Sequence, residues 1–219
     1  MKNKKIDKKY KAIIFDFDGT LVNSLPYHMR AFEDVIAERG IKIRDSEIKG
    51  LFGRPSKEIF SILRKNHPFK GSYDDLREER RYHFFKILDG HDIVFKGVYD
   101  LLEKLKKKYK LAIATGSSYT TYSHTANKRF QSFFDFTSTI NDIKHGKPHP
   151  QQLFFVAKHL KVKPNECLVV GDSKYDGLAA KRAKMDYIGV TSGYTSKNEL
   201  IKYNPLLVLK NVRELDKII

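Results

Sequence analysis

Two hydrophobic periodicities divide the chain. Through residues 24–89 apolar side chains recur every three to four positions, the spacing of helices with one buried face. Ser24 and Pro26 open the first of these helices, with the hydroxyl expected at the cap and the proline in the first turn. Gly40 closes it, and Tyr27, Ala31, Val35 and Ile36 share one face. The turn-rich stretch Gly50-Leu51-Phe52-Gly53-Arg54-Pro55 leads into a second helix from Ser56 to about Lys65. A third is expected from Tyr73 to Leu88, with Leu76, Tyr82, Phe85 and Leu88 inward. No strand is expected between Asn23 and Gly90.

The remainder alternates short apolar runs with amphipathic helices. Ile13-Ile14-Phe15, Leu111-Ala112-Ile113-Ala114, Cys167-Leu168-Val169-Val170 and Tyr187-Ile188-Gly189-Val190 lack polar alternation, as strands covered on both faces do. Weaker strands are expected at Phe136–Ile140 and Leu206–Leu209. Helices are expected at Gly97–Tyr109 (Val98, Leu101, Leu102 and Leu105 inward), Thr121–Phe130, Pro150–Leu160 and Tyr175–Ala183. Shorter ones follow near Lys197 and at the C-terminus. This order predicts an α/β protein with a doubly wound, Rossmann-like parallel sheet. Residues 1–22 and 91–219 would form that core, and residues 23–90 a small helical domain inserted after the first strand.

Composition narrows the class. The 219 residues are 41% hydrophobic, and no apolar run approaches a membrane span. Met1–Lys11 is lysine-rich without an apolar stretch, so no signal peptide is expected and a soluble cytoplasmic protein is. Cys167, the single cysteine, sits in an apolar run and reads as a buried structural thiol. The formal charge is +16, yet the lysines are scattered through nearly every predicted helix and no arginine-rich stripe stands out. That pattern suits a solvated surface, or attraction of small anionic substrates, without requiring nucleic acid.

Polar chemistry is concentrated where three of the buried strands end. The first stops at Asp16-Phe17-Asp18-Gly19-Thr20. Carboxylates at the end of an apolar strand need compensation, and a hard divalent cation supplies it through oxygen ligands. One carboxylate can then act as nucleophile and its neighbour can carry protons. Helix capping is the structural alternative. The second strand ends at Thr115-Gly116-Ser117-Ser118, whose hydroxyl and backbone N–H groups suit phosphate oxygens, although Thr-Gly is also an ordinary turn. The third ends at Gly171-Asp172-Ser173-Lys174-Tyr175-Asp176. There Asp172 is placed to complete a metal site with Asp16, and Asp176 either holds a metal-bound water, pairs with Lys147 or caps a helix. Lys147 lies between Gly146 and Pro148, which would hold its ammonium over a phosphate or beside Asp16. His145 and His149 have no nearby cysteine with which to form a zinc site. In a doubly wound sheet these ends meet in one crevice.

The motifs Asp16/Asp18, Thr115, Lys147 and Asp172/Asp176, in this order, resemble the four signatures of the haloacid-dehalogenase-like hydrolases. Asp16-Phe17-Asp18-Gly19-Thr20-Leu21-Val22-Asn23-Ser24 is similar to the phosphoglycolate phosphatase and β-phosphoglucomutase branch, with Asn23-Ser24 in place of the usual Asp-Ser. The resemblance spans about Lys11 to Tyr194 and includes a helical cap domain. It implies that Asp16 attacks phosphorus to give an aspartyl phosphate, and that Asp18 protonates the leaving oxygen and then activates water. It also implies that Asp16, Asp172 and the Asp18 carbonyl hold Mg²⁺, with Asp176 supporting, while Thr115, Gly116 and Lys147 bind the phosphoryl group. An acid at Asp18 favours phosphatase or phosphomutase over dehalogenase. Arg54, and less so His28, are cap candidates for a substrate anion. The expected activity is Mg²⁺-dependent hydrolysis of a small phosphorylated metabolite by a monomer or homodimer. A β-phosphoglucomutase-like sugar phosphomutase is the alternative, with a non-catalytic nucleic-acid-binding protein as a third reading prompted by charge.

Overall fold

The computed structural model describes Ile6, residues 10–52 and residues 54–219. Most of the lysine-rich N-terminal stretch, and Gly53 of the turn before Arg54, lie outside the described residues. The chain divides into two compact units, Met1–Asn23 with Asp92–Ile219, and Ser24–His91.

The first unit is built on six parallel strands: β1 (Ala12–Phe15), β2 (Lys110–Ala114), β3 (Phe136–Ser138), β4 (Cys167–Gly171), β5 (Asp186–Val190) and β6 (Leu207–Leu209). Their order, β3-β2-β1-β4-β5-β6, is that of a doubly wound α/β sheet, with the order reversing at β1. Ile14 pairs in register with Ala112 on one side and Val169 on the other. All four β1 residues are fully buried, which is why its sequence shows no alternation. Ile14, Ala112 and Val169 share a core with Leu153, Val156 and Ala179, while Cys167 is a buried free thiol.

The second unit contains α1 (Leu25–Ala37), α2 (Asp45–Lys49), α3 (Ser56–Asn66) and α4 (Tyr73–Leu88). Its core gathers Phe32, Val35, Ile36, Ile48, Ile59, Phe60, Leu63 and Leu76. The helices of the first unit are α5 (Val98–Lys106), α6 (Tyr119–Thr125), α7 (Lys128–Gln131), α8 (Gln151–Leu160), α9 (Lys174–Ala183) and α10 (Lys197–Ile201). Among the described residues, no helix is long and apolar enough to cross a membrane.

Several local expectations need correction. Ser24 does not cap α1 with its side chain: its backbone is already helical (φ −81°, ψ −15°), and its carbonyl accepts from His28 N at 3.0 Å. An extended backbone is what lets a cap side chain reach back, so the buried Ser24 hydroxyl has no hydrogen-bond partner. The single helix expected over Thr121–Phe130 is two, α6 and α7. Asn127 is extended between them, and its side chain accepts from Phe130 N at 2.8 Å, starting a new helix instead of continuing the old. Tyr82 is 63% exposed, because Leu76, Phe84 and Leu88 form the buried line of α4 and Tyr82 sits two residues out of phase. The strand expected over Phe136–Ile140 stops at Ser138, where a 3₁₀ turn takes over. The short helix α2 was not anticipated.

Ile14 is fully buried on the central strand, in register with Ala112 and Val169. Ile14→Ala is expected to destabilise the protein by about 2–5 kcal/mol in urea unfolding, through lost burial and the residual cavity. A change below about 1 kcal/mol would show that β1 is not the centre of the core.

Candidate active site

The sheet delivers its polar strand ends to one place. Asp16 follows β1 directly, and its amide donates to Val170 O of β4 at 2.8 Å, so the two strand ends are locked side by side. Asp172 follows β4, and Asp176 lies in the first turn of α9. Carboxylate oxygens of Asp16, Asp172 and Asp176 all lie within 4.8 Å of one another. The Lys147 ammonium sits against them, donating to Asp16 Oδ1 at 2.8 Å and to Asp176 Oδ1 at 2.6 Å.

The loop that carries Lys147 is tied down at both ends. His145 N donates to Gln151 Oε1 at 2.8 Å, and Arg182 Nη1 donates to Pro148 O at 2.8 Å. The Lys147–Pro148 peptide is cis. Asp176 is fixed from the other side by a capping box: its amide donates to Ser173 Oγ at 3.2 Å, while the Ser173 amide and hydroxyl donate to Asp176 Oδ2. Asp176 therefore both caps α9 and pairs with Lys147.

Asp172 has neighbours that sequence reasoning missed. Tyr194 N donates to its Oδ2 at 3.0 Å, and the buried Thr20 hydroxyl approaches Oδ1 at 3.4 Å. Gly193 lies so close that a Cβ there would stand 1.8 Å from Asp172 Oδ2. Gly19, with φ +74°, approaches from the opposite loop, its own Cβ position 2.8 Å from the same oxygen. Ser192 Oγ donates to Gly19 O at 2.7 Å and joins these two loops. A glycine one residue before an aromatic, just after the fifth strand, was the available signal.

Asp18 is not one of the three carboxylates within 4.8 Å of one another, though its charge also raises the Asp16 carboxyl. Ser117 Oγ donates to its Oδ2 at 2.7 Å, with Thr115 Oγ1 farther away at 3.5 Å. Thr115 is fully buried, its hydroxyl accepting from Ser117 N at 2.9 Å and its carbonyl from Gln152 Nε2 at 2.9 Å. Ser117 and Gln152 were not singled out from sequence, although Ser117 lies inside the Thr-Gly-Ser-Ser stretch. Nothing lies within 4 Å of the place a Gly116 Cβ would take, so the backbone there is open. Arg54 belongs to the second unit, where it is exposed and paired with Glu58. His28, in the same unit, stacks on Phe84 at 4.2 Å, and its Nδ1 lies 3.2 Å from Arg80 Nη1.

The electrostatics of this site are unbalanced. Burial, opposed by Lys147 and reinforced by Asp176, raises the Asp16 carboxyl to about 7. Burial, together with Asp16 and Asp176, pushes Asp172 well above the usual carboxylate range. Burial alone would lower Lys147, but Asp16 and Asp176 outweigh it and hold the ammonium charged. Burial and the same three acids raise the Tyr187 phenol, which donates to Gly171 O at 3.0 Å. One fixed cation thus faces three clustered carboxylates. Hard oxygen donors with excess negative charge fit Mg²⁺.

Comparison with known proteins agrees with this architecture. Residues 13–190 match the family model described as haloacid dehalogenase-like hydrolase. A pyrophosphatase PpaX from Anoxybacillus flavithermus is 28% identical over 211 residues, covering 93% of this chain and 94% of its own. A structure from Bacteroides fragilis described as a haloacid dehalogenase-like hydrolase is 30% identical, with a TM-score of 0.79, over 94% of this chain and 100% of that one. CbbY from Rhodobacter sphaeroides, solved with phosphate, shares the fold at 23% identity and a TM-score of 0.81, covering 94% of this chain and 96% of its own.

The contact between Gly193 and Asp172 can be tested directly. Gly193→Ala is expected to displace the Asp172 carboxylate and weaken Mg²⁺ binding at least about tenfold, as loss of a ligand's supporting contacts does. Thermal unfolding across a Mg²⁺ titration measures it. A variant whose melting temperature responds to Mg²⁺ as the wild type does would contradict the placement of Asp172 as a ligand.

Proposed function

Because the chain belongs to the haloacid dehalogenase-like hydrolase family, we propose that it is a Mg²⁺-dependent phosphatase acting on a small phosphorylated metabolite. The observation that carries this reading is the contact of Lys147 with Asp16, beside Asp172 and Asp176, at the carboxyl ends of β1 and β4. A nucleophilic carboxylate is useful at phosphorus only where its charge and that of the phosphoryl oxygens are both offset.

Asp16 is assigned as nucleophile. Its carboxylate oxygen forms a bond to phosphorus as the bond from phosphorus to the leaving oxygen breaks. Asp18 gives that oxygen a proton, and an aspartyl phosphate is left. Asp18 then takes a proton from water, whose oxygen attacks the same phosphorus and frees Asp16 and inorganic phosphate. The hydrogen bond from Ser117 to the Asp18 carboxylate supports this division, since Asp18 is positioned by a hydroxyl and is not one of the three clustered acids. Asp16, Asp172 and the Asp18 carbonyl are assigned to hold Mg²⁺, which when bound would neutralise carboxylate charge and polarise the phosphoryl group. Thr115, the open backbone at Gly116 and Lys147 bind the phosphoryl oxygens, and Asp176 keeps Lys147 in place.

The helical unit, Ser24–His91, is assigned the role of a substrate-selecting cap. Arg54 is its candidate cation for a second anionic group on the substrate. The name of the Anoxybacillus relative puts pyrophosphate among the substrates to be tried, beside phosphoglycolate, sugar phosphates and nucleoside monophosphates.

Phosphate release from such a panel, with and without Mg²⁺, tests the assignment. Wild type is expected to turn over at least one substrate only with the metal. Asp16→Asn is expected to lose at least about a thousandfold in kcat, and Lys147→Ala about a hundredfold. Interconversion of hexose phosphates without phosphate release would replace the phosphatase reading by a phosphomutase. An Asp16→Asn protein that hydrolyses as fast as wild type would end the nucleophile assignment.

A further inference from the structure

The charge of the molecule is unevenly placed. Residues 1–23 and 92–219 carry 28 Lys and Arg against 15 Asp and Glu, whereas residues 24–91 carry 14 against 11. Within the first unit, a groove of about 470 Å³ opens where β1 and β2 begin. It is lined by Tyr10, Lys11, Lys106, Lys107, Lys108, Tyr109, Lys110 and a single acid, Asp135. Lys11 and Asp16 bracket β1, so the groove and the carboxylate cluster lie at opposite ends of that strand, roughly 16 Å apart along the chain.

Parallel topology creates this cluster. Every segment preceding a strand emerges at the same edge, so lysines separated by about a hundred positions in sequence become neighbours. Ala12 pairs with Lys110, and Lys110 N donates to Lys11 O at 3.0 Å. The C-terminal end of α5 accounts for Lys104 and Lys106 in its last turn. It does not account for Lys108, which lies beyond the C-cap Lys107; both are exposed and pair with no acid among the described residues.

The other ammonium groups are held in place. Lys110 Nζ donates to Leu160 O at 2.7 Å, Lys106 Nζ donates to Ser132 O, and Lys11 pairs with Glu166 at 2.7 Å. An ammonium has three N–H donors, so each anchored lysine keeps donors for a ligand after meeting one fixed partner. Asp135 is itself engaged, accepting from Leu111 N at 2.8 Å. Five cations, three of them pre-positioned, thus face a concave space of small-ligand size.

We propose that this groove binds a chain of linked phosphates, the group shared by inorganic polyphosphates and nucleoside triphosphates. Linked phosphates place several charges within a few ångströms, matching closely set point-charge donors. Tyr10 offers no free stacking face to single out a base: it is 6% exposed, and its hydroxyl donates to Asp186 at 2.8 Å. The site is independent of catalysis and stands or falls apart from the phosphatase assignment.

The test is calorimetric titration of the metal-free full-length chain, in EDTA, with sodium tripolyphosphate and separately with ATP. Without metal, the Asp16–Asp172–Asp176 cluster repels anions, so uptake reports the groove. Wild type is expected to bind tripolyphosphate at one site, with affinity falling as salt rises. The double variant Lys107→Glu/Lys108→Glu is expected to lose at least about tenfold in affinity while keeping its melting temperature and Mg²⁺-dependent phosphate release. Equal binding of ATP supports recognition of the phosphates alone, and binding of tripolyphosphate but not ATP narrows the ligand to the inorganic source. Absence of tripolyphosphate binding, an unchanged affinity in the double variant, or binding seen only with single-stranded RNA would overturn the proposal.

Discussion

Three carboxylates forced together at the ends of two buried strands are the constraint around which the first unit is arranged. Asp16 and Asp172 cannot move apart, because β1 and β4 are adjacent and in register, and the Asp16 amide is bonded to the end of β4. Asp176 cannot withdraw, because it caps α9 through Ser173. The Lys147 ammonium offsets part of this charge, but burial, reinforced by the neighbouring acids, leaves Asp16 and Asp172 with raised pKa values. A site that resists ionisation in this way, yet is built only of oxygen donors, is prepared to gain a hard cation.

Around this charge the backbone approaches closely. Gly19 and Gly193 come from the loops after β1 and β5 and meet at Asp172, with the Ser192 hydroxyl joining them. Glycine is needed at Gly193 for contact distance and at Gly19 also for its positive φ. The same parallel topology separates the charges of the unit: acids gather where strands end, and the lysine-lined groove opens where β1 and β2 begin. A small anion therefore meets a basic surface at one edge and a cation-requiring crevice at the other.

The sheet and its acids were legible because buried parallel strands leave continuous apolar runs, and Asp16, Asp18 and Asp172 interrupt or follow those runs in a way helices and turns do not demand, whereas Asp176 also serves as a helix cap. Where the apolar period ran cleanly, as in α5, the helix appears with the expected register, Val98, Leu101, Leu102 and Leu105 all being buried. What sequence could not convey was competition between local hydrogen bonds. Asn127 divides a helix because its side chain caps a new one, and Ser24 fails to cap because its backbone is already helical. Ser117, Gln152 and Gly193 escaped notice for a different reason: their importance lies in contacts across 21 to 99 positions, made only once the strands are side by side. The lysine groove was hidden in part the same way, since the sheet alone brings Lys11 beside the run at residues 106–110.

The stereochemical course at phosphorus tests the central claim most directly. Asp16 as nucleophile requires two successive in-line displacements, one by its carboxylate and one by water. A phosphate ester made chiral by oxygen isotopes, hydrolysed by the Mg²⁺-loaded protein, is therefore predicted to give phosphate with retained configuration. Inversion would mean that water attacks the substrate in a single step, and Asp16 would then be a metal-binding or orienting residue.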